Sequence, residues 1–190
     1  MLKYFIGSVF IVCGFATKCQ DTFKISLDKF SIKSTIISVK ISEIVDARKD
    51  KNTIGIVHVG SQNQKDSASL YLPGLQEVED LLMRSDLVSA KRGYLMRIRK
   101  LAISEIADAG KETIKAEIYL DFFFPSSNHY YHVKTSTITN ETNAATRSHA
   151  ENIVAVIQSS LVSFSLMEDY ASFEQRFTKE DLMDPNLSFR

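Results

Sequence analysis

The chain has 190 residues, with 23 Lys+Arg against 23 Asp+Glu, 44% hydrophobic residues, two Cys and no Trp. That length suits one domain, and the even charge count excludes the broad basic footprint of a nucleic-acid binder. Seven Gly and three Pro exclude a disordered or collagen-like chain, while two Cys exclude a disulfide-dense scaffold or a four-Cys zinc site.

Met1-Leu2-Lys3 leads into thirteen uncharged, mostly apolar residues, Tyr4 to Ala16. Thirteen residues of helix cannot cross a hydrocarbon core of about 30 Å, which needs about 20. The run fits the h-region of a secretory signal, and Gly14-Phe15-Ala16 supplies the small-x-small pattern of a cleavage site. Residues 1–19 therefore read as an export signal cleaved between Ala16 and Cys19; the other reading is a buried first element of the fold. Lipidation of Cys19 would be the one route to the membrane, but Lys18 precedes it and Val12 precedes Cys13, where lipoprotein signals place a small residue. Loss of residues 1–19 removes Lys3 and Lys18 and no acid. The remaining 21 bases and 23 acids predict no strong pull toward anionic lipid or nucleic acid.

Residues 20–34 form a polar lead-in carrying Phe23, Ile25, Leu27 and Phe30, and residues 35–167 read as a single domain. Its first strand spans about 35–45, with Ile37, Val39 and Ile41 at period 2. A charged turn, Asp46 to Asn52, precedes a second strand that sets Ile54, Ile56 and His58 on one face and Val57 and Val59 on the other. Ser61 to Ser69 reads as a loop, then a short strand at 70–72 meets Pro73 and a helix over 73–85. Along 94–106 the apolar phase changes at Arg99-Lys100, which predicts a bulge or the end of one sheet contact and the start of another. Residues 114–124 and 129–139 form the clearest hairpin, turning at Pro125 to Asn128. Ser148-x-x-Glu151 is a capping box opening a helix whose stripe is Ile153, Ile157, Leu161 and Phe164. Residues 168–190 form a charged tail with a short helix near Phe173 and Phe177 and a loose end at Asp184-Pro185. This order predicts an α+β fold: a largely antiparallel sheet of five or six strands with two main helices on one face.

Asp46-Ala47-Arg48 after the first strand, and Ile54-Gly55-Ile56-Val57 opening the second, resemble the YajG-like envelope lipoproteins and the auxiliary lipoproteins of transport systems. The resemblance spans roughly residues 35–166 and rests on about five motif residues. It implies an α+β fold akin to the small N-terminal domain of TolB-like periplasmic proteins, and a non-enzymatic role at the envelope. The residues before Cys19 depart from that pattern.

Chemical motifs are sparse. His129 and His132 fall on opposite strand faces, and no His-Glu-x-x-His spacing occurs, so neither a metal nor a cofactor is expected. There is no Gly-x-Ser-x-Gly elbow and no phosphate-cradling glycine loop. Asp46 and Arg48 could point the same way to position a ligand, or form a turn ion pair. The run of five positive charges from Lys91 to Lys100 is either a patch for phosphate headgroups, an acidic partner or nucleic acid, or, the favoured reading, a solvated strand face carrying Arg97 and Arg99. Tyr119 and Phe123 fall opposite the core-facing Phe122 and Phe124. They are either an exposed aromatic binding surface or a face covered by the Phe173/Phe177 segment. The expected function is that of an exported, periplasmic or envelope-associated protein binding a partner protein or lipid-like ligand without catalysis. Its binding residues would be Tyr119, Phe123, Arg97, Arg99, Asp46 and Arg48. The alternatives are a small exported hydrolase using Asp46, His58 or Asp121, and an assembly scaffold pairing through a sheet edge.

Overall fold

A computed structural model describes residues 22–34, 37–60, 63–87, 93–108, 111–166 and 175–189. The expected export signal, both Cys and Phe173 lie outside the described residues. In chain order the elements are β1 Phe23–Ile25, β2 Lys33–Ser34, β3 Lys40–Asp46, β4 Gly55–Val59, β5 Gln64–Leu70 and α1 Gln76–Arg84. There follow β6 Asp86–Leu87, β7 Gly93–Asp108, β8 Lys111–Ser126, β9 His129–Asn143, α2 His149–Ser165, β10 Arg176–Phe177 and α3 Lys179–Met183. The result is a mixed α+β fold dominated by one eight-stranded sheet, larger than the five or six strands expected.

The hairpin forms as expected and is longer, with β8 and β9 paired antiparallel from Thr113 opposite Asn143 to Ser126 opposite His129. The phase change in β7 has both consequences the pattern allows. Ile98 pairs with Leu120 and Lys100 with Tyr119, so Arg99 is the extra, bulged residue. On the other edge of β7, β3 pairs in parallel along Gly93 to Ile98, and β4 takes over at Ile103 and Ser104. One long strand thus lends the same edge to two shorter ones, and the gap between them falls beside Arg99.

The sheet is largely antiparallel as expected, through β4–β5, β7–β8, β8–β9 and β9–β10. It is mixed all the same: β1–β5, β3–β7 and β4–β7 are parallel, because β5 and α1 lie in the connection that brings β7 back beside β3 and β4. Two expectations are corrected. The polar run expected as a loop is mostly β5, held between β1 and β4; pairing on both edges imposes a strand that its composition does not favour. The face assignment of β4 also fails, since Ile54 and Val57 are buried while Ile56 is 54% exposed. Gly55, at φ +148°, interrupts the alternation between them.

One face of the sheet carries the main core, which gathers Phe122, Ile118 and Ile98 with Val78 and Leu81 of α1 and Ile153, Ile157, Leu161 and Phe164 of α2. Phe122 and Phe164 stack at 4.0 Å. The capping box of α2 is complete: Glu151 N–H donates to Ser148 Oγ at 3.2 Å, and Ser148 N–H donates to Glu151 Oε2 at 2.6 Å. Ser148→Ala should cost about 1 kcal/mol in urea unfolding, the usual worth of such a cap.

The same boxes make part of the stability acid-sensitive. The Ser148 backbone and hydroxyl hold the Glu151 carboxyl below its ordinary 4.5, and Thr178 holds Asp181 below 3.8 in the same way. Because folding lowers these values, their contribution is complete above the unfolded-state values and is lost as pH falls through the folded ones. Denaturant midpoints should therefore drop below about pH 4.5, and Glu151→Gln should flatten that drop.

Candidate functional site

The opposite face of the sheet carries a second, smaller core built from Val45, Leu95, Phe123, Phe177 and Leu182, with Tyr130, Leu187 and Phe189 against it. Phe123 is fully buried there, edge-on to Phe177 at 5.9 Å and to Phe189 at 5.7 Å. Of the two readings of this face, the covered one is correct, and Phe123 is not part of an exposed surface. The short helix expected near Phe177 lies further on, at α3, with Phe177 itself in β10, and the segment from Asp184 to Phe189 is not loose. Phe189 stacks on His132 at 4.1 Å, and burial holds the His132 imidazole below its ordinary value.

Arg97 is the larger correction, because it is not solvated but fully buried. Its Nη1 donates to Asp121 Oδ2 at 2.8 Å, its Nε to the Leu182 carbonyl at 2.7 Å and its Nη2 to the Asp184 carbonyl at 2.5 Å. Thr135 Oγ1 donates to the second Asp121 oxygen at 2.7 Å. The guanidinium thus satisfies carbonyls at the end of α3 that the helix cannot pair itself. Burial pulls its pKa down and Asp121 opposes that pull. Arg97 and Asp121 belong to the fold rather than to a binding surface.

The remaining residues converge. Where β7 passes from β3 to β4, the bulge opens a cleft of about 540 Å³ lined by Arg48, Lys49 and Asp50, by Arg99, Lys100 and Leu101, by Tyr119, and by Pro185 and Asn186. Arg48 is buried in its wall and forms a two-pronged ion pair with Asp46, Nε to Oδ1 at 2.9 Å and Nη2 to Oδ2 at 2.8 Å. Nη2 also reaches the carbonyls of Lys51 and Gly74 at 3.2 and 3.3 Å. Nη1 is buried without a hydrogen-bond partner among the described residues. Across the cleft the Arg99 guanidinium lies 4.3 Å from the centre of the Tyr119 ring and donates from Nη1 to the Tyr119 hydroxyl at 2.7 Å.

The acids near the cleft are already engaged. Asp50 accepts from the Thr53 hydroxyl at 2.5 Å and from two backbone amides, which hold its carboxyl below 3.8. Lys100 pairs with Glu117, which Lys115 also contacts at 2.9 Å. Among the described residues no carboxylate pairs with Lys49 or Arg99. The arrangement suits capture of an anion, with Leu101, Tyr119 and Pro185 offering apolar contact.

No family model matches the chain, and no curated protein matches it. Among solved structures it is similar to a Xanthomonas campestris protein of the DUF330 family, at 10% identity and a TM-score of 0.39, over 76% of this chain and 90% of that one. It is also similar to an uncharacterised protein at 12% identity and a TM-score of 0.32, over 76% of this chain and 95% of that one.

Of the six residues singled out in the sequence, the fold therefore brings Arg48, Arg99 and Tyr119 into one cleft, with Asp46 behind Arg48. It sends Arg97 and Phe123 into the second core. The three hydrolase candidates sit with different partners: Asp46 with Arg48, Asp121 with Arg97, and His58 with Glu105, whose Oε2 lies 3.3 Å from His58 Nδ1. No hydrogen bond joins any two of them. Lys49, Lys100, Pro185 and Asn186 escaped the sequence reading as site residues, although the broken phase at Arg99-Lys100 marked the place. Glu105, bridging His58 and His149 of α2, was missed as well. Its signal is an acid in phase with the core residues Leu101 and Ile103.

Proposed function

We propose that the chain is an exported, envelope-associated protein that binds a partner protein or a lipid-like ligand without catalysis, using the cleft at the β7 bulge. The observation that carries this reading is the convergence of Arg48, Arg99 and Tyr119, from three separate segments, on a cleft where Lys49 and Arg99 have no carboxylate partner among the described residues. A side-chain set built only for stability would also pair the buried Arg48 Nη1, since an unsatisfied buried donor is costly. The size of the cleft falls in the range of small-ligand sites. Export is supported by Lys3 and the apolar run from Tyr4 to Ala16.

Intact-mass measurement and fractionation of the chain from its native host test the first part. The expected form lacks the first 16 to 19 residues and is recovered outside the cytoplasm; a full-length cytoplasmic chain contradicts the proposal. For the second part, Lys49→Gln with Arg99→Gln should release the chain from the envelope fraction while its melting temperature stays within a few degrees. An unchanged distribution counts against the cleft.

A further inference from the structure

We propose that the ligand presents a phosphoryl group, seated between Lys49 and Arg99 with Arg48 behind it and Lys100 at the rim; this rests on the reading of the cleft as the binding face. Charge decides the class. The cleft lining holds four cations and one carboxylate. Asp46 and Glu117 engage Arg48 and Lys100, and Asp50 is turned to Thr53 and its own loop amides. Lys49 and Arg99 remain as two positive charges without a carboxylate partner. A phosphate monoester carries about −1.5 to −2 at pH 7 and matches both, whereas a carboxylate matches only one.

Geometry points the same way. Arg99 is held by its contact with the Tyr119 ring and by its bond to the Tyr119 hydroxyl, so one guanidinium edge is fixed and its other N–H groups have no partner among the described residues. Arg48, a lining residue, is clamped by Asp46, Lys51 and Gly74, and its one unused nitrogen, Nη1, is buried with no partner among the described residues. Two positioned guanidiniums present planar N–H forks, the donor shape that recognises tetrahedral oxyanions through paired bonds. An oxygen drawn to the wall by Lys49 and Arg99 gives Arg48 Nη1 the acceptor it lacks. Leu101, the Tyr119 ring and Pro185 would then cover the organic part of an ester.

Isothermal titration of the chain purified from its native host tests the class with sodium phosphate against sodium acetate at matched ionic strength. A parallel arm uses phosphatidylcholine vesicles with and without phosphatidic acid. Phosphate should bind and acetate should not, and the Lys49→Gln, Arg99→Gln double variant should weaken phosphate binding about tenfold or more with its melting temperature retained. Stronger binding to phosphatidic acid vesicles than to phosphate identifies a lipid headgroup; binding to phosphate alone identifies a soluble phosphate compound. Equal affinity for phosphate and acetate, or no effect of the double variant, overturns the inference. If neither phosphate probe binds while the double variant still leaves the envelope fraction, the phosphoryl class falls and the cleft stands. If fractionation is also unchanged, both fall.

Discussion

Asp121→Ala should lower the unfolding free energy by about 3–5 kcal/mol, the cost of leaving a buried charge without its partner. Arg97 and Asp121 have fully buried side chains, so the stranded guanidinium has no water to turn to. The loss reaches beyond the pair. Thr135 loses its acceptor, and the two carbonyls of Leu182 and Asp184 then carry the whole guanidinium charge. Removing both charges together is the informative control. Arg97→Met with Asp121→Leu should recover part of the loss, because apolar residues of similar volume often replace a buried ion pair at little cost, while the Leu182 and Asp184 carbonyls and the Thr135 hydroxyl lose their bonds to the pair. Urea unfolding of the three chains measures this; a double variant no more stable than Asp121→Ala would mean that the pair does more than neutralise itself.

Gly55→Ala should cost about 3 kcal/mol or more, or prevent folding. Gly55 sits at φ +148°, a conformation L side chains rarely adopt. A Cβ there would lie 1.7 Å from the Ile103 carbonyl oxygen and 2.8 Å from its carbon. Those are backbone atoms of β7 at the start of its pairing with β4, where Ile103 N–H also donates to the Ile54 carbonyl at 2.6 Å. No rotamer relieves the clash, so β4 must leave β7. Thermal melting decides the point: a wild-type melting temperature for Gly55→Ala would mean that β4 is not docked as described.

The parts of the fold readable in the sequence are those whose signal is local. Ser148 and Glu151 announce α2 because a capping box needs only four neighbouring residues, and the stripe behind them is set by helix period alone. The β8–β9 hairpin is equally plain, since Ile114 to Phe124 alternate without a break. The bulge was legible because Leu101 and Ile103 are out of phase with Met96 and Ile98. What Arg97 faces was not. A charge on one side of a strand normally meets water, and here the water is displaced by carbonyls 85 and 87 residues away. Phe123 was legible in part: cover by the Phe173/Phe177 segment was one of its two readings, but only the fold sets Phe177 and Phe189 against it. The cleft was half legible. The pair at Asp46 and Arg48 and the bulge at Arg99 were each visible, but only the handover of β7 from β3 to β4 sets them side by side. An overall charge near zero concealed them further, because it averages a local excess over the whole surface.

A photoreactive benzoylphenylalanine in place of Asn186, a lining residue outside the proposed donors, in a chain made by its native host, interrogates the cleft where it is meant to work. Illumination of intact cells should yield one covalent adduct with an envelope component, and Arg99→Gln in the same chain should abolish it. A folded chain that gives no envelope adduct, or an adduct undiminished by Arg99→Gln, would contradict the cleft as the binding face.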